Sequence, residues 1–78
     1  MDSRVIQFDF RGTRRNGVVH VHDTHVIVWF SDTEILDDFG GQVIFNKDLT
    51  VKAARVAKAK DEQDFHNSII KALKKLDS

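Results

Sequence analysis

Three histidines lie close together in this chain: His20, His22 and His25, spaced H-x-H-x-x-H. On an extended strand, residues two apart project to the same side, about 6.6 Å from each other. Imidazoles at that spacing can share a divalent cation such as Zn2+, and Asp9 or Asp23 could complete the set. No second His-x-His, no His-Glu-x-x-His and no cysteine accompanies them. The plainer reading is therefore a solvated sheet face whose imidazoles titrate near neutrality, and no cofactor is expected.

Three arginines form the second group. Arg11, Arg14 and Arg15 precede Asn16-Gly17, a favoured pair for a two-residue hairpin turn. A two-stranded ribbon tipped with arginine can enter a nucleic-acid groove. Charge argues against that use. The chain balances 12 Lys and Arg against 12 Asp and Glu, whereas phosphate binding draws on a net positive surface.

The remaining polar residues do not assemble a catalytic pattern. Nucleophilic catalysis needs Ser or Cys beside an oriented base. The serines are Ser3, Ser31, Ser68 and Ser78, at the ends of the chain, at a helix cap and on a helix face. Asp37-Asp38 are adjacent, and neighbours in a helix do not face one another. Gly40-Gly41 lacks the Gly-Lys-Ser/Thr of a phosphate loop. His66 follows Phe65 and reads as partly exposed helix surface. The sequence thus predicts a protein without an active site.

Elements must position these groups, and the patterning predicts them. Ile6, Phe8 and Phe10 alternate with Gln7, Asp9 and Arg11, which predicts a half-buried strand. A turn at Asn16-Gly17 would pair Arg15 with Val18, Gly12 with Val21 and Phe10 with Asp23. Val19 and Val21 then join the Phe row, while His20 and His22 share the opposite face with Arg11 and Thr13. A second turn is expected around Asp23-Thr24, longer than two residues because Asp-Thr suits a tight turn poorly. A third strand, 25–30, follows.

Ser31-Asp32-Thr33-Glu34 resembles a capping box opening a short helix that ends at Gly40-Gly41. Val43-Ile44-Phe45 reads as a strand and 46–48 as a turn. Residues 49–60 carry both strand alternation and helix-favouring Ala and Lys; a strand over 49–56, paired with 42–46, is the preferred reading. From Asp61 as N-cap, Phe65, Ile69, Ala72, Leu73 and Leu76 form one stripe of an amphipathic helix over 61–77. Acidic residues at its start and lysines near its end complement the helix dipole.

The predicted fold class is α+β: a curled antiparallel sheet of about five strands, β-β-β-short α-β-β-α, packed on one C-terminal amphipathic helix, as a single domain over 1–78. Without cysteine, an apolar run of signal length or a span-length segment, a cytoplasmic protein with no membrane association is expected. One helix covers one face of a sheet. The other would carry Val5, Val18, Ile27 and Trp29 among polar residues. Either 31–41 folds over part of it, or it is a contact surface for a homodimer or another protein.

Overall fold

The structure, a computed structural model, describes residues 2–54 and 60–76. Alternating side chains build three strands in succession: β1 (Asp2–Phe10), β2 (Thr13–Val21) and β3 (His25–Trp29). A short helix α1 (Thr33–Phe39) leads into β4 (Gln42–Asn46) and β5 (Val51–Ala54), and α2 (Glu62–Leu76) follows. The five strands form one open antiparallel sheet in chain order, so every strand pairs with its sequence neighbour and β1 and β5 are the edges.

The first hairpin turns earlier than its Asn-Gly pair predicts. Phe10 pairs with Thr13, not Asp23, and the turn residues are Arg11 and Gly12, with φ of 54° and 70°. Two positive φ angles in a row suit the right-handed twist of a hairpin, and Gly12 adopts the second without steric cost. Asn16 and Gly17 lie inside β2, opposite Gln7 and Ile6. Gly17 has a packing role there. A Cβ at that position would stand 3.1 Å from Val28 Cγ1 and 3.5 Å from Ile6 Cγ1 and Phe30 Cε1.

The two registers differ by an even number of residues, so Ile6, Phe8, Phe10, Val19 and Val21 share a face in both. The change moves Thr13 and Arg15 instead, onto the inner face with the phenylalanines. The second turn is also shorter than expected. Val21 pairs with Val26 and the His22 amide donates to the His25 carbonyl at 2.9 Å, leaving only Asp23 and Thr24 between.

Asp32, rather than Ser31, caps α1: its side chain accepts from the Glu34 and Ile35 amides. Glu34 reaches away to arginine instead of back to the cap. Gly40 ends the helix at φ 94°, donating to the Ile35 and Leu36 carbonyls. In the β4–β5 hairpin the register slips between Ile44 and Phe45, which face Ala53 and Val51. The described strand stops at Ala54, and 55–59, part of the segment with mixed signals, lie outside the described residues.

The core lies between the inner face of the sheet and both helices. All six phenylalanines are buried in it. Phe65 of α2 packs against Phe8, Phe10, Phe30 and Phe39, stacking on Phe39 at a ring separation of 4.1 Å. Because Phe39 belongs to α1, the short helix lies on the same side as α2. Residues 31–41 therefore do not cover the outer face. His66, expected at the surface, is buried beside Phe45 and Phe65. No helix among the described residues is long and apolar enough to cross a membrane.

The turn assignment has a direct check. Gly12→Ala forces a Cβ into the left-handed region and is expected to lower unfolding free energy by about 1 kcal/mol. Asn16→Ala, on an exposed strand position, should change it by less than about 0.5 kcal/mol. Urea denaturation of both variants decides; the reverse ranking would restore the turn to Asn16-Gly17.

Candidate functional site

Cross-strand pairing fixes which side chains share the outer face. Val5 opposes Val18, Val18 opposes Trp29, and Trp29 opposes Gln42, making one row across four strands. The neighbouring row is Ser3, His20, Ile27, Ile44 and Ala53. Beyond Val5 and Val18 stand Gln7 and Asn16, themselves a pair. Among the described residues of these three rows there is no Asp, Glu, Lys or Arg, in a chain with 12 acidic and 12 basic residues.

The four residues proposed from sequence as a contact surface come together here. Val5 is 66% exposed, Trp29 43% and Val18 38%, while Ile27 is half-buried in the adjoining row. A shallow hollow of about 140 Å3 opens beside them, lined by Val5, Asn16, Gly17, Val18, Trp29 and Ser31 among others. Charged residues begin at the margin, where Arg14 pairs with Asp9 at 2.9 Å.

The three histidines share this face but divide into two groups. His20 leans edge-on toward Trp29, with ring centroids 6.5 Å apart. His22 and His25 stack on each other at 4.7 Å, and His25 Nδ1 lies 3.0 Å from the Thr24 hydroxyl. They do not converge on a point, and among the described residues no three His, Asp or Glu side chains are placed to hold a metal ion. Partial desolvation, then His22, Lys52 and Lys47 nearby, push the His25 pKa below its ordinary value.

The arginines also separate. Arg11, in the hairpin turn, reaches over Phe10 and Phe39 and binds carboxylates from α1 and from the residue just before α2: Glu34 and Asp38 of α1 at 2.6 Å each, and Asp61 through two bonds of 2.7 and 2.8 Å. Arg15, only 7% exposed, binds Asp32 at 2.9 Å and Glu34 at 3.3 Å. These contacts hold the Asp32, Glu34 and Asp61 pKa values below the usual carboxylate range, and hold the proton on Arg11 more firmly. Arg14 alone faces outward, with Asp9. No basic ribbon tip results.

Sequence reasoning missed the Arg11 and Arg15 network because it placed both residues beside the wrong turn. The abundance of acids at 32, 34, 38 and 61 was the available signal. The groups considered for catalysis are also apart: Ser68 donates to the Asp64 carbonyl, Asp38 serves Arg11, and Ser31 lies at the hollow. No family model matches this chain, nor does any curated protein or solved structure.

Two titration steps should appear in its stability. Burial holds the His66 pKa down, as desolvation does that of His25, so these two groups bind fewer protons in the folded chain than in the unfolded chain below about pH 6.5. Their contribution is complete above that pH and is lost as pH falls. The arginine-bound carboxylates are depressed as well, and theirs is lost only as pH falls below about 4. Thermal melts between about pH 8 and 5 should show a declining Tm, and His66→Gln should flatten the decline. An unchanged slope in that variant would assign the step elsewhere.

Proposed function

We propose that this chain is a protein-interaction module that associates with a second copy of itself through the outer face of the sheet around Trp29. The observation that carries the reading is the absence of Asp, Glu, Lys and Arg among the described residues of the two rows that hold Val5, Val18, Ile27 and Trp29. Interface centres are depleted in charge and enriched in tryptophan. A two-fold contact sets each patch against its own copy, so any fixed charge near the axis would meet its like. A patch without fixed charge avoids that penalty: Arg11 and Arg15 are engaged with Asp32, Glu34, Asp38 and Asp61 on the helix side, and Arg14 pairs with Asp9 at the patch margin. The single tryptophan supplies the kind of large, rigid apolar contact that dominates binding energy.

Light scattering and sedimentation at neutral pH test this. At micromolar concentration the mass should be twice that of one chain. Emission from the one tryptophan should shift to the blue as concentration rises. Trp29→Arg should return the protein to a monomer with unchanged far-ultraviolet circular dichroism, since the side chain lies outside the core. A strictly monomeric parent, or a Trp29→Arg variant that dimerises as tightly, would overturn the reading.

A further inference from the structure

The face whose central rows lack fixed charge carries three groups able to acquire it. His20 stands in the row of Ile27 and Ile44, and His22 and His25 continue the face toward the β2–β3 turn. We propose that contact between the two copies is gated by protons: uptake at His20, His22 and His25 charges the face and separates the copies. This rests on the reading of the Trp29 face as the dimer surface.

The surroundings favour a switch of this sign. Across from His20 stand Ser3 of β1 and Ile27 of β3, with the Trp29 ring at its edge; none can neutralise an imidazolium. His25 faces Asn46 of β4 and is acted on by Lys47 and Lys52, from the β4–β5 turn and β5. His22 and His25 stack at 4.7 Å, so a proton on one opposes a proton on the other. Asp23, in the turn between them, is the nearby carboxylate in sequence, and Asp48, beside Lys47, is bound to Thr50. In a two-fold contact each charge is doubled by its copy, and covering the face removes the water that would otherwise solvate it.

The neutral imidazoles, by contrast, suit the closed state. His20 offers an aromatic edge to Trp29, and the stacked pair presents flat rings of the kind found at interfaces. Histidine is the side chain whose ordinary pKa makes such a change available near neutrality.

The experiment is sedimentation of the full chain at about pH 8 and about pH 5.5, with circular dichroism at both to confirm folding. Each proton linked to dissociation multiplies the dimer dissociation constant by about ten per pH unit below its pKa. The expected rise is therefore at least about a hundredfold. The triple variant His20→Gln, His22→Gln, His25→Gln should remain dimeric at both values. His66→Gln, which alters only the core, should dissociate as the parent does. A parent dimeric and folded at both pH values overturns the gating and leaves the dimer reading intact. A triple variant that dissociates with acid like the parent overturns it too. A parent monomeric at both removes the dimer reading itself. Should the triple variant fail to dimerise, nuclear magnetic resonance titration of the parent decides. The imidazoles of His20, His22 and His25 must titrate at lower pH in concentrated dimer than in dilute monomer; equal values overturn the proposal.

Discussion

One phenyl ring organises this fold. Phe65, the fourth residue of α2, is completely buried against rings from β1, from the end of β3 and from α1. Burying a side chain of this size is worth about 2–3 kcal/mol. A chain of this length has only about 4–12 kcal/mol of net stability to distribute. The ring can meet all four neighbours only if α1 and α2 occupy the same side of the sheet. That placement puts both helices on one side of the sheet and leaves its outer face uncovered by either.

The charged residues reinforce the same choice. Arg11 leaves the β1–β2 turn in the direction of the helices and binds Glu34, Asp38 and Asp61. Arg15 crosses the end of the inner face to Asp32 and Glu34. Partly exposed ion pairs contribute modestly to stability, but these share partners, so ordering one side chain helps to order the next. They draw fixed charge to the end of the domain where the hairpin turn meets both helices. The centre of the outer face, left with Val, Ile, Trp, amides and imidazoles and with Arg14 and Asp9 only at its margin, owes its lack of fixed charge partly to that arrangement.

Much of the fold was legible in the chain because hydrophobic period is a strong signal. The order of five strands and two helices, the core stripe of α2 and the inner row of Ile6, Phe8, Phe10, Val19, Val26 and Val28 all follow from it. Register does not. Asn16-Gly17 and Arg11-Gly12 both permit a two-residue turn, and each puts the same apolar residues inward, so patterning is silent between them. The choice lies in tertiary terms: Gly17 makes room beneath Val28 and Phe30, and Arg15 gains two carboxylates. His66 was missed for a related reason. Beside Phe65 it lies at the flank of the apolar stripe, and Phe45 of β4 covers it. The candidate contact surface was legible as a face but not as neutral ground, because that required knowing where Arg11, Arg14 and Arg15 go.

The chain-order sheet has a consequence for assembly in time. Each strand finds its partner in the strand just before it, so the sheet can form by successive short loop closures, as a series of local and fast events. Its lid, α2, comes after all five strands and closes back on β1, the first of them. During synthesis, the inner row of phenylalanines and valines is complete before the helix that covers it has left the ribosome. The nascent sheet therefore shows water its apolar inner face, beside the exposed Val5, Val18 and Trp29 of the outer one, for as long as α2 takes to emerge. That interval is when the chain is most prone to stick to others and most in need of a chaperone.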